Sequence, residues 1–122
     1  MSTTPAQEYD LISKAIQPYL DGAKAGKGDL MKASFQEGAT VYGYLGDTLV
    51  QGPIQLIYDW ADSLGPAPQI NARIVRVDVA GTTANARVEV DHWQKYRFTD
   101  TFNLMKIDGK WLVVNKIFHT HI

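Results

Sequence analysis

The chain has 122 residues, 45% hydrophobic and 20% charged, with a formal net charge of -1 at pH 7. This composition fits one globular domain, residues 1–122, with a single core, and excludes a disordered or fibrous chain. The near-neutral balance provides no basic footprint for nucleic acid, no apolar run reaches the roughly 20 residues that cross a bilayer, and the lack of cysteine excludes disulfides and thiol chemistry.

The opening MSTTPAQEYD has neither the basic nor the apolar region of a secretory leader, so a cytoplasmic location is expected. Leu11, Ile12, Ala15, Ile16, Tyr19 and Ala23 recur at three and four, which predicts a helix over 7–25. Pro18 falls inside it and is expected to kink or restart the helix just before Tyr19. Gly26 or Gly28 then ends it, and Asp29 caps a short second helix running through Leu30, Met31 and Phe35. ATVYGY reads as a strand from its alternation, although Gly43 leaves a blank between Tyr42 and Tyr44, and DTLVQ is its short return partner. Gly52 and Pro53 open a third helix carrying Ile54, Ile57, Tyr58 and Trp60, which GPAP stops.

Beyond it the pattern changes to long alternating strands over 69–79, 82–93, 96–107 and 111–119, turning at Gly81, at Gln94 and Lys95, and at Asp108-Gly109. Asp-Gly between two alternating runs is a strong hairpin signal. Helices early and a meander late predict an α+β domain with its helices on one face of a bent antiparallel sheet. A sheet curled in this way leaves a cone-shaped hollow suited to a ligand, and its outer face is the expected contact of a homodimer.

These segments resemble the NTF2-like superfamily, which includes SnoaL-like cyclases, ketosteroid isomerases and scytalone dehydratases. The resemblance runs through YLDGAKAGKGDLMKASFQEGATVYGY, QGPIQLIYDW and FTDTFNLMKIDGKWLVVNKIFHTH, the last being most similar to the lumazine-binding subgroup. It implies a cone: a curved antiparallel sheet packed against three N-terminal helices. By the same resemblance, Tyr19 falls where ketosteroid isomerase has its oxyanion-hole tyrosine, and Asp100 where it has the neutral acid of that hole. The isomerase's carboxylate base falls at Gly43, and glycine cannot abstract a proton, so that reaction loses its base here.

Each candidate also has a plainer reading. Tyr19 is either a pocket donor or a core tyrosine with a satisfied hydroxyl. Asp100 interrupts the apolar series Phe98, Phe102 and Leu104, so it either faces the pocket with a partner or sits outside with Thr99 and Thr101 after a register slip. Tyr42 and Tyr44 share one face of their strand, as cavity donors or as packing. Trp60 lines the pocket or anchors helix to sheet. His92 alternates with Val88 and Val90, which would make it an inward acid/base group, or it is a satisfied residue beside a turn. His119 borders the pocket or the subunit contact, and its spacing with His121 is too weak a pattern to assign a metal. Arg73, Arg87, Glu89, Asp91 and Lys95 read as charge pairing between neighbouring strands.

The expected function is binding of a small hydrophobic or aromatic ligand, with Tyr19, Tyr42, Tyr44, Trp60, Asp100 and His119 around it and no cofactor. The alternative is a cofactor-free SnoaL-like isomerase, cyclase or dehydratase acting on a ketone-bearing ring. There Tyr19 and Asp100 stabilise an enolate oxygen and His92 or a water replaces the missing base. A protein-interaction module has no supporting feature beyond the shared scaffold.

Overall fold

Thr4 starts the first helix by satisfying its open amides: its hydroxyl accepts from the Gln7 amide at 3.2 Å, while the Gln7 side chain accepts from the Thr4 amide at 2.8 Å. The computed structural model describes residues 3–121, and α1 spans Pro5–Ala25 as one helix, ending on Gly26 at φ 69. Pro18 lies inside α1 and does not end it, so of the kink or restart expected there, the restart does not occur. The very short α2, Gly28–Met31, has no side-chain cap, so Asp29 is not the capping residue expected; it pairs instead with Lys32 at 2.9 Å. Phe35 belongs to the first strand rather than to that helix. Gly52 and Pro53 close β2, and α3, Gln55–Leu64, begins after Ile54. Among the described residues, no helix is long and apolar enough to cross a membrane.

The strands are β1 Phe35–Leu45, β2 Thr48–Pro53, β3 Asn71–Ala80, β4 Thr83–Trp93, β5 Tyr96–Ile107 and β6 Lys110–His121. They form one sheet in the order β2-β1-β6-β5-β4-β3. The fold is α+β, with one difference from an all-antiparallel sheet: β1 and β6 run parallel. After α3 the chain re-enters at the far edge and meanders back, so β6 arrives beside β1 pointing the same way. Asp108 at φ 50 and Gly109 at φ 77 make the tight β5–β6 turn, which requires positive φ at both positions. Register shifts interrupt β3–β4, β4–β5 and β5–β6, and such bulges add local bend and twist to a sheet.

Helix α1 is tied to the β5–β6 hairpin by Glu8. Its carboxylate accepts from Lys106 Nζ at 2.8 Å, from Trp111 Nε1 at 2.5 Å and from the Thr3 hydroxyl. The bonds from Lys106, Thr3 and Trp111 favour the charged form and hold this carboxyl down to about 2 from an ordinary 4.5. A carboxyl depressed in the folded state contributes stability above its unfolded pKa, and loses it as pH falls through the folded value. Urea midpoints measured against pH should therefore fall between pH 4.5 and 2, and Glu8→Gln should lower stability at pH 7 while flattening that acid limb. An unchanged acid limb in the variant would contradict the tie.

Candidate functional site

Under α1, three polar side chains from three elements meet inside the core. The Tyr19 hydroxyl, from α1, donates to Asp100 Oδ2, on β5, at 2.8 Å. Lys116 Nζ, on β6, lies 3.4 Å from Asp100 Oδ1, a long ion-pair contact. Tyr19 and Asp100 are fully buried and Lys116 is 3% exposed. Val88 and Phe118 flank Asp100 in the strand register, so it points inward while Thr99 and Thr101 point out.

Pro18 explains how Tyr19 is held. A proline in a helix disturbs the bonding of its own turn and leaves backbone groups without helical partners. The Tyr19 amide instead donates to Ser34 Oγ at 3.0 Å, and that hydroxyl donates to the Ile16 carbonyl at 3.4 Å. The ring of Tyr19 is fixed by edge contacts with Phe35, Trp93 and Phe102 at centroid separations of 5.9, 5.8 and 5.4 Å.

Burial opposes charge on all three groups. It raises the Asp100 carboxyl against the lowering pull of Lys116 and Tyr19, and it lowers the Lys116 ammonium against the raising pull of Asp100. It also lifts the Tyr19 phenol well above its ordinary value, with Asp100 adding to the rise. Desolvation is the largest influence on both partners, so the pair is drawn toward a neutral acid beside a neutral amine. Lys116 Nζ also lies 4.5 Å from the centre of the Phe118 ring and 5.5 Å from that of Tyr19, which partly compensates its charged form.

A cavity of about 170 Å³ opens beside Lys116. Its outer part is formed by Leu45 and Val50 of the first hairpin and by Leu56 on α3. Deeper, Ile57 and Trp60 face the rings of Trp93, Phe98 and Phe118, and Trp60 meets Trp93 edge-on at 5.1 Å. Lys116 is the one ionisable side chain in this lining. Tyr19 and Asp100 stand behind it rather than in the wall, so the phenol and acid expected to face a ligand reach it only through the amine.

Gly43 lies opposite Phe118 in the β1–β6 register. A Cβ there would lie 2.6 Å from the Phe118 ring and 2.6 Å from its carbonyl oxygen. The blank between the tyrosines is therefore the space that the Phe118 ring fills.

Besides Tyr19 and Asp100, four more of the expected ligand or catalytic residues lie outside the cavity wall. Because Val41 and Gly43 face inward, Tyr42 and Tyr44 must face out, and they are 45% and 58% exposed. His92 is exposed at φ 58 because a bulge in β4 places Trp93, not His92, on the inner face after Val90. His119 is exposed, pairs with Tyr44 in register and touches His121 at a ring separation of 4.8 Å. Val114 has no partner in the β5 register, and that extra residue reverses the alternation beyond it. Among the outward charges, Arg73 stands opposite Glu89 and Asp91 bonds Arg97 at 3.1 Å, whereas Arg87 faces Arg76.

Residues 7–119 match the protein family described as "Putative lumazine-binding". The chain belongs to this family. It is 41% identical to an NTF2-like protein of unknown function from Shewanella baltica, with a TM-score of 0.94 and 99% of each chain covered. An NTF2-like protein of unknown function from Methylobacillus flagellatus is 42% identical with a TM-score of 0.93, covering 98% of this chain and 97% of that one. Among curated proteins, the aldolase FrzH of Cladobotryum sp. is 29% identical over 117 residues, 95% of this chain and 94% of that protein.

Lys116 is the site residue that strand alternation hides in this lumazine-binding family member. Counted by twos from the buried Val113, Asn115, Ile117 and His119 would face inward and Lys116 would face water. The unpaired Val114 turns Lys116 and Phe118 inward instead. The only sequence signal was the interior acid, which needs a cation or donors to be buried.

Because the Phe118 ring and its carbonyl crowd the Gly43 position, Gly43→Ala should lower stability by about 1–3 kcal/mol through overpacking. Chemical denaturation checks this, and an unchanged midpoint would show that Phe118 moves aside freely.

Proposed function

We propose that this protein binds a small, mostly apolar ring compound bearing a carbonyl or similar acceptor, oriented by Lys116. The observation that carries this reading is the pairing of an apolar-walled cavity with one buried amine backed by Asp100 and Tyr19. Ligand sites of this kind combine apolar walls with a few fixed polar groups. The volume of about 170 Å³ is close to that of an engineered cavity of about 150 Å³ that takes benzene, which favours a single ring over a steroid-sized one. The buried indole N–H of Trp93, another wall residue, has no acceptor among the described residues, and a ligand oxygen would supply one.

Lumazine itself fits this wall poorly. Its ring nitrogens and carbonyls would be buried against rings and aliphatic chains, and each polar group left unpaired costs about 1–3 kcal/mol.

A second reading, a cofactor-free enzyme acting on a ketone-bearing ring, is favoured by the kinship with an aldolase. Aldol chemistry needs a carbanion equivalent next to a carbonyl, and an amine at that carbonyl assists its formation. In this reading the group nearest the ligand oxygen is Lys116, with Asp100 and Tyr19 setting its protonation. The exposed His92 takes no part.

Trp60 and Trp93 sit in the cavity wall and make their own fluorescence a reporter. Acetophenone should change tryptophan emission saturably, and ethylbenzene, which lacks the oxygen, should bind about tenfold more weakly. Lys116→Met should remove that difference. Absence of any saturable change, or equal binding of the two compounds to the unmodified protein, would overturn the reading.

A further inference from the structure

A lysine that is 3% exposed, with its amine in an apolar site, is in the environment that activates amines as nucleophiles. Here the amine has an acid beside it, since Asp100 Oδ1 is 3.4 Å away and has no hydrogen-bond partner among the described residues, while Oδ2 is fixed by Tyr19 at 2.8 Å. The acid is thus held by one oxygen and free to exchange a proton at the other. We infer that Lys116 attacks the carbonyl carbon of a small aldehyde or ketone seated in the cavity and condenses with it to a covalent imine. This rests on the binding reading above and adds to it a bond and a ligand class.

The step balances without a further reactant. Transfer of a proton from the Lys116 ammonium to Asp100 Oδ1 leaves a neutral amine and a neutral acid. The nitrogen lone pair forms the N–C bond, the carbonyl π pair moves to oxygen, and a proton passes from nitrogen to that oxygen to give a carbinolamine. The Asp100 proton then passes through the amine nitrogen to the hydroxyl, the C–O bond breaks, and water leaves as the nitrogen lone pair closes the C=N bond. The products are a protonated imine on Lys116, the Asp100 carboxylate and one water, so the site again holds an ion pair, with an iminium in place of the ammonium. Tyr19 forms no bond to the ligand and acts as a positioning residue, through its hold on Oδ2. The apolar wall limits the water available to reverse the condensation.

The test uses the full chain, benzaldehyde and sodium cyanoborohydride, which reduces an imine to a stable amine, followed by digestion and mass spectrometry. The expected product is Lys116 carrying the mass of benzaldehyde less one oxygen, formed on the order of tenfold faster than at the exposed Lys110. Ethylbenzene in the same mixture should slow labelling at Lys116 and leave Lys110 unaffected. Labelling of Lys116 no faster than of Lys110, while tryptophan emission reports bound benzaldehyde, would overturn the imine and leave the binding reading standing. No emission change and no selective label would overturn both.

Discussion

The arrangement of this protein turns on placing an acid and an amine in its interior together. An isolated charge buried there would cost several kcal/mol, so Asp100 and Lys116 are tolerable only because each answers the other and Tyr19 fills the second oxygen. Their elements, α1, β5 and β6, come from opposite ends of the chain, and the contact fixes how the first helix sits on the last strands. Removing one member of such a group while leaving the other charged typically costs about 3–5 kcal/mol, far more than a surface ion pair contributes. The same burial that makes the group costly gives its amine a chemistry that exposed lysines lack.

The remaining features serve that placement. Pro18 frees backbone groups on the turn that carries Tyr19, and Ser34 takes the Tyr19 amide, so the helix continues and its tyrosine stays in place. Edge-to-face contacts among Trp60, Trp93, Phe98 and Phe118 build the wall of the space in front of the amine. Gly43 completes it by omission, since the inner face of β1 gives up a side chain where the Phe118 ring lies.

Much of the fold was legible because it rests on strong local rules: helical spacing in 7–25, alternation in four late strands and Asp108-Gly109 between two of them. The inward position of Asp100 was one of two placements its apolar neighbours on β5 left open, the other being outside after a register slip. What could not be read was the effect of single inserted residues. A period of two flips face at every bulge, so Val114 hid Lys116, and the extra residue before Trp93 gave His92 a false inward position. Tyr42 and Tyr44 are a different lesson, because a glycine that occupies an inner position already requires its two neighbours to face out. The parallel pairing of β1 with β6 depends on where the chain re-enters the sheet after α3, which local pattern does not encode.

Orientation of a ligand by a neutral amine, and its capture as an imine, both require Lys116 to lose its proton more readily than a lysine in water, through burial that outweighs the attraction of Asp100. Heteronuclear NMR titration of the lysine Cε resonances, with Lys116 assigned by its absence in Lys116→Met, reads this directly. Lys116 should titrate at lower pH than Lys110 and the other exposed lysines. A Lys116 midpoint at or above theirs would mean a permanently charged ion pair in a structural role, and would contradict both the orientation of a ligand by a neutral amine and its capture as an imine.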